Sequence, residues 1–457
     1  MGYLEFIDDK QVIQQVSGFT PDESTYPEAI KDHQRVSVTW ACKRAKAALF
    51  LDTGLGKTLA QLTWADQVVH KTGEPVLILA PLAVSHQTIR EGDKFGVKVM
   101  LAKSQDDIDE IGIYITNYEK LDKFDPSIFS GIVLDESSIL KGMQGKIRKQ
   151  ITESFRDTPY RLSCTATPSP NDFMELGTQS EFLGIMSQVE MLAMFFIHDG
   201  SDTSKWRLKG HGKSKFWEWL STWAIFLKSP ADLGFDGSEY DLTDIEYHSY
   251  VIKTKPVNSL FAEPAMGLLD RNRARKDSIQ SRCEQAAAIV NGLDEPAVIW
   301  CHLNAESELL ASLIDDSVEV TGSSKDEHKS KSLMDFADGE IKALVSKPKI
   351  AGFGMNWQSS RHCVFVGLSD SWESFYQAIR RQWRFGQTRK VHVHIVSADT
   401  EGMVVANIER KDKQHKEMTE SMMLLMSDLI QKSVFGAKIE KADYPADVDM
   451  TIPGWLK

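Results

Sequence analysis

The octapeptide LDTGLGKT, residues 51–58, has the glycine spacing, lysine and hydroxyl of a triphosphate-binding loop. Gly54 and Gly56 let successive backbone N–H groups turn inward around an anion. A helix opening just after them would aim its positive end at the same charge. Lys57 would reach the β and γ phosphates of ATP as a point charge, and Thr58 would offer its hydroxyl to Mg²⁺. Thr53, Gly54, Leu55 and Gly56 would form the cradle. The full pattern asks for glycine at its first position, where this chain has Leu51. The context compensates: an apolar run, AALFLD (47–52), leads in, and a helical apolar pattern from Leu59 to Val69 leads out. A plain glycine-rich turn is the alternative.

The stretch GIVLDESS (131–138) ends four apolar residues in two carboxylates. At the C-terminal end of a parallel strand, where such sheets bind ligands, Asp135 would hold Mg²⁺ and Glu136 would orient and deprotonate an attacking water. Seen alone, the pair could also be a helix N-cap and first-turn acid. Far downstream, QAIRRQWRFGQTRK (377–390) carries Arg381 and Arg384, whose spacing predicts one face of a helix. The guanidinium fork suits phosphate. Two such groups presented across a domain gap could neutralise charge on a transferring γ-phosphoryl, an effect worth a factor of ~10³–10⁵ in rate. A solvated basic face is the bland alternative.

Elements that could position these groups recur along the chain. Short apolar strands at 47–52, 76–80, 111–116, 131–135 and 160–166 alternate with helical stretches, which predicts a parallel sheet covered on both faces, over residues 25–180. A second α/β series over 277–410 has strands at 297–301, 317–320, 342–346, 363–367 and 392–397. Between them, 181–276 reads as a mainly helical insertion or bridge, rich in Met, Phe and Trp. Trp206, Trp217, Trp219 and Trp223 read as core rather than as a base-stacking platform. Residues 1–24 form an N-terminal segment, and 411–457 a C-terminal helix and tail. Within the helical stretch 402–435, Met418, Met422, Met423, Leu425, Met426 and Leu429 form a stripe expected to pack on its own domain. His392 and His394, two apart on a strand, share a face; packing is the favoured reading and a metal pair the other.

Composition bounds the rest. With 457 residues, 42% hydrophobic and 26% charged, the chain suits two or three globular domains. Five cysteines with no CxxC pair argue against a disulfide framework or a cysteine zinc site. The N-terminus carries acid early and no run is long enough to span a bilayer, so a cytoplasmic protein of a bacterial or phage-infected cell, without membrane partners, is expected. The net charge of −12 excludes a wholly basic binder but not a motor with a confined positive groove. Positive charge clusters at Arg271–Lys276, at Arg380–Lys390 and at Lys205–Lys215.

In these motifs and their order the chain resembles the superfamily 2 helicases and translocases, the Swi/Snf-like branch above all, over residues 26–400 with 185–275 poorly matched. The resemblance implies an α/β fold of two RecA-like parallel-sheet domains in tandem, with ATP and Mg²⁺ between them. IKDHQ resembles the adenine-recognition motif, implying that Gln34 contacts the base. LAPLAVSHQ (79–87) and ITNYEKL (115–121) resemble elements touching a nucleic-acid backbone. SCTATPSPND (163–172), with Thr165 and Thr167, resembles the segment that transmits nucleotide state. KPKIAGFGMNWQ (347–358) resembles the segment linking ATP and nucleic-acid contacts, through Gly352, Gly354 and Asn356. Two departures stand out: Ser137 and Ser138 replace the branch's usual Ala-His, and Arg380 stands where relatives usually have Asp. The implied function is a nucleic-acid-dependent ATPase acting as a DNA translocase or helicase, its partner double-stranded DNA gripped with weak sequence preference. An ATP-switched clamp, or the motor subunit of a restriction, repair or recombination complex with protein partners, is the alternative.

Overall fold

The computed structural model describes residues 17–141, 145–169, 172–199, 202–253, 278–351, 355–369 and 371–435. Two parallel sheets carry the chain, each the centre of a RecA-like domain. The first contains β1 (Lys46–Leu51), β2 (Val76–Ala80), β3 (Val99–Leu101), β4 (Ile113–Asn117), β5 (Gly131–Asp135) and β6 (Tyr160–Cys164), with β9 (Ala224–Leu227) at one edge; its order is β3-β4-β2-β5-β6-β1-β9. The second has the order β10-β15-β14-β11-β13-β12, from β10 (Ile245–Ile252), β11 (Ala297–Trp300), β12 (Ser317–Val320), β13 (Ala343–Ser346), β14 (His362–Val366) and β15 (Val391–Ala398).

Apolar runs build these sheets because both faces are buried. In β11, Val298 and Trp300 enter one hydrophobic cluster while Ala297 and Ile299 enter another. Alternation sends successive side chains to opposite faces, so AVIW must be apolar throughout. Each parallel strand ends on the same edge of its sheet, which gathers the loops after β1, β5 and β6 into one region.

The segment 181–276 is less helical than its composition predicts. Helices Gln188–Phe195 and Lys213–Ser221 are present, but β7 (Phe196–Asp199) and β8 (Asp202–Leu208) form an antiparallel hairpin. β9 pairs with β1, and β10 pairs with β15. The run AIFL is too short for its periodicity to separate strand from helix, and only its place beside β1 decides it. Trp217, Trp219 and Trp223 are buried in the first domain's core, against Phe195 and Phe216.

The C-terminal helix, Gly402–Phe435, corrects a second expectation. Val404 and Ile408 pack into the second domain, but Met426 and Ile430 belong to the core of the first. At 34 residues the helix is about 50 Å long, enough to cross from one domain to the other. Trp372 Nε1 donates to Asp412 near one end, and Trp40 Nε1 and Arg44 Nη2 donate to Ser433 Oγ near the other. The side chains of Met418, Met422 and Leu425 lie outside the described ones.

Candidate active site

β1 runs into the glycine loop, and helix Lys57–Thr72 leaves it. Gly54 and Gly56 both have positive φ, +98° and +72°. Each is also held at close quarters. A Cβ on Gly54 would meet Phe385 Cβ at 2.7 Å, and one on Gly56 would meet Gln34 Nε2 at 1.8 Å. Only glycine satisfies both conditions. Lys57 Nζ donates to the Leu51 carbonyl at 3.3 Å, folded back over the loop.

Gln34 lies under this loop. Its Nε2 donates to the carbonyls of Leu55 (3.0 Å) and Gly56 (3.1 Å), and its Oε1 accepts from the Lys31 N–H at 2.8 Å. Both ends of the amide are thus engaged by the chain, and the side chain braces the glycine loop. A contact from Gln34 to a base requires these bonds to be exchanged.

Asp135 ends β5, and its Oδ1 accepts from the Glu136 N–H at 3.1 Å. Burial, and then the neighbouring Glu136 charge, push the Asp135 carboxyl above the usual range; the Lys57 ammonium partly offsets this. Glu136 has φ +57°, a left-handed conformation that costs a non-glycine residue ~1–3 kcal/mol where it is enforced. Its Oε2 is buried and has no hydrogen-bond partner among the described residues. A buried polar atom in that state calls for water or ligand.

The second domain brings up the arginines, with a correction. Helix Trp372–Ile379 ends before them, so Arg381 and Arg384 sit on the turn that follows rather than on one helical face. The Arg381 carbonyl is taken by the Trp357 N–H at 2.9 Å, which pulls the backbone off the helical path. The two side chains still converge: Arg381 Nη1 and Arg384 Nη1 donate to the same Met355 carbonyl, at 3.2 and 3.3 Å. Burial first, then the Arg381 charge, push Arg384 down to about 9; burial first, then the Arg380 charge, push Arg381 down to about 10, against the raising effect of Glu136. An anion between the domains would relieve that repulsion.

These pieces meet. Thr53, Gly54, Gly56, Lys57, Thr58, Asp135, Glu136, Arg381 and Arg384 line one interdomain cleft of about 370 Å³. Gln87 from segment 79–87 and Phe385 from segment 377–390 line it too, as do Glu91 and Lys94, which no motif in the sequence marks; Gln87 and Glu91 are four apart on helix Leu82–Phe95. Asn356 also lines the cleft, with Oδ1 buried and lacking a partner among the described residues. Gly352 and Gly354 lie outside the described residues. The donor set fits a nucleotide and a hard cation: loop N–H groups and cationic side chains for phosphate, a hydroxyl and carboxylates for Mg²⁺.

Direct bonds join the two domains around the cleft. Arg380 donates to Asp52 Oδ1 at 2.8 Å, and Gln377 Nε2 donates to Thr167 Oγ1 at 3.2 Å. Tyr240 stacks on Phe385 with centroids 4.5 Å apart. Gln179 links the acidic box to the Thr165–Thr167 segment: its Nε2 donates to the Ser137 carbonyl and its Oε1 accepts from Ser163 Oγ. A second cleft of about 540 Å³ is lined by Leu82, Tyr118, Lys141, Lys329, Lys349 and Glu373 among others, so segments 79–87, 115–121 and 347–358 all reach it. Lys141 pairs with Glu373 across it. Among the described residues, the basic clusters of the sequence do not gather in one groove. Arg380 and Arg381 are buried between the domains, Arg389 pairs with Glu295, Lys215 pairs with Glu218, and 271–276 lie outside the described residues.

Residues 33–195 match the SNF2-related domain, and residues 284–386 match the helicase conserved C-terminal domain. The chain belongs to the SNF2-related helicase and translocase superfamily. Lys57, Thr58, Asp135 and Glu136 fall within the first match, Arg381 and Arg384 within the second. The two domains carry ATP-dependent motor activity on nucleic acid as their general function. Among solved structures, the chain is similar to the Sulfolobus solfataricus SWI2/SNF2 ATPase core in complex with dsDNA, at 18% identity, over 91% of this chain and 99% of that one, with a TM-score of 0.43. It is also similar to the ATP-dependent Type ISP restriction-modification enzyme LlaBIII bound to DNA, at 14% identity, over 86% of this chain and 31% of that one, with a TM-score of 0.50; this likeness is one of fold. Comparison with curated proteins gave no match. Among the described residues, no helix is long and apolar enough to cross a membrane.

Proposed function

We propose that the chain hydrolyses ATP between its two domains and uses the cycle to move along double-stranded DNA with little sequence preference. The observation that carries this is the convergence of Lys57, Thr58, Asp135 and Glu136 with Arg381 and Arg384 on a single cleft. The loop N–H groups and Lys57 hold the β and γ phosphates. Thr58 and Asp135 would hold Mg²⁺, which supplies Lewis-acid neutralisation of phosphate oxygens when bound. Glu136, its Oε2 still unpartnered, takes the proton of the attacking water. Arg384 and Arg381 stabilise the charge that develops on the transferred group.

Loss of the γ phosphate removes the anion that holds two repelling guanidinium groups against the first domain. The interdomain bonds Arg380–Asp52 and Gln377–Thr167 then respond to nucleotide state. Lysines 141, 329 and 349, reaching the second cleft from both domains, would grip backbone phosphates and shift relative to one another in each cycle. Such contacts position the duplex without reading it, and they weaken with salt.

Triplex displacement on duplex DNA, run beside a strand-separation assay, tests this reading. ATP-dependent displacement of the third strand without unwinding is the expected result. ATP turnover with neither movement would replace the motor by a nucleotide-switched clamp.

A further inference from the structure

A histidine cluster lies on one face of the second sheet, and the nucleotide chemistry does not use it. β10, β15 and β14 run parallel, with Glu246 opposite His392, His248 opposite His394, and His362 opposite His392. Two-residue alternation brings all of these to the same face. His248 Nε2 and His392 Nδ1 are 3.0 Å apart. The Glu246 carboxylate lies beside both, Oε1 at 3.9 Å from His248 Nε2 and Oε2 at 4.0 Å from His392 Nδ1.

Two imidazole nitrogens at 3.0 Å either share a proton or share a cation. Tetrahedral zinc, with bonds of ~2.0–2.2 Å, holds its ligand atoms roughly 3.3 Å apart. The histidine pair is already within a few tenths of that spacing. Glu246 is exposed, and one of its carboxylate oxygens, within 4.8 Å of both nitrogens, has to close by up to about 1.5 Å to reach the same spacing. We propose that Glu246, His248 and His392 bind one divalent transition-metal ion of the zinc class, with solvent in the fourth position.

Surrounding residues support the geometry. His394 stacks on His248 with centroids 4.7 Å apart, and His362 stacks on His392 at 5.0 Å, so each ligand ring is held by another. His394 Nε2 is 3.4 Å from His362 Nδ1, and its Nδ1 is 3.4 Å from the Tyr250 hydroxyl. Lys390 Nζ, 3.4 Å from Glu246 Oε2, is the cation the metal would displace. None of the three proposed ligands lines the phosphate cleft. β10 pairs with β15 at the sheet's edge, and the chain enters the second domain through it. A bound metal would staple that edge strand in place.

The test uses the full chain, stripped with chelator and titrated with zinc chloride by calorimetry and with cobalt(II) by visible absorption. One equivalent of each metal should bind, with a tetrahedral cobalt spectrum, and zinc should raise the melting temperature. His248→Gln and His392→Gln should each abolish the site. Glu246→Gln, at an exposed position that leaves the fold intact, should weaken zinc at least roughly tenfold and leave ATP turnover unchanged. Absence of a saturable site in the wild type would overturn the proposal. So would undiminished stoichiometry and affinity in all three variants, which would place the metal elsewhere.

Discussion

Arg380 of the second domain and Asp52 of the first form an ion pair at 2.8 Å across the interdomain gap, beside the phosphate loop. Arg380 is 2% exposed and also donates to the Thr53 carbonyl at 3.1 Å. The guanidinium and its carboxylate partner link the two domains directly. Removing one member strands the other in a low-dielectric site. Arg380→Gln and Asp52→Asn should each lower kcat/KM for ATP, while the double variant loses less than the sum. A coupling of about 1–3 kcal/mol is expected from the double-mutant cycle. Strict additivity would show that the pair does not act as a unit.

Lys57→Ala should remove both ATP binding and turnover, since the glycine loop loses the ammonium that lies over it. Glu136→Gln should behave differently. The amide keeps the shape but cannot take a proton, so turnover should fall to background while ATP still binds. Equilibrium binding of a fluorescent ATP analogue beside phosphate release separates the two. Wild-type turnover in Glu136→Gln would reassign the base.

Arg384→Ala should lower kcat by roughly 10³-fold or more, with a smaller change in ATP affinity. Arg384→Lys should recover little, because an ammonium lacks the planar fork. Arg381→Ala should also lower the melting temperature. Arg381 Nε and Nη1 donate to the carbonyls of Gln377 and Met355, so that side chain holds its own turn together. Single-turnover kinetics and thermal melts of the three variants check this division of roles.

Thr167→Val should uncouple the domains while sparing the phosphate site. It deletes the acceptor for Gln377 Nε2, a buried bond between the segment after β6 and the helix before the arginines. Basal ATP turnover should stay within about twofold of wild type, a loss below ~0.5 kcal/mol. Stimulation by DNA should drop markedly. Equal loss of both rates would mean that Thr167 serves the chemistry itself.

Much of the architecture was legible because parallel sheets buried on both faces demand unbroken apolar runs, as in VLILA and GIVLD. β3 escaped notice because three residues carry no period. β10 escaped because it is a half-exposed edge strand inside a segment dominated by aromatic residues. The strand–glycine loop–helix and the acids at a strand end are local patterns and could be read directly. The turn carrying Arg381 and Arg384 could not: their spacing fits a helix, and the Trp357 N–H that ends it comes from another loop. Asp52 and Arg380 lie 328 residues apart, and no periodicity connects them. The C-terminal helix was placed correctly in sequence, but its stripe does not say which domain it covers. Packing of Met426 and Ile430 into the first core shows it to be a strap.

The central claim is that two distant stretches of chain close around one triphosphate and that DNA governs their closing. Steady-state ATP hydrolysis with Mg²⁺, measured for wild type and Arg384→Ala without nucleic acid and with duplex DNA, single-stranded DNA and RNA, tests it most directly. Strong stimulation by duplex DNA in the wild type, declining with salt and lost in Arg384→Ala, is the predicted result. Turnover that is the same with and without every nucleic acid, or that survives Arg384→Ala, would contradict it.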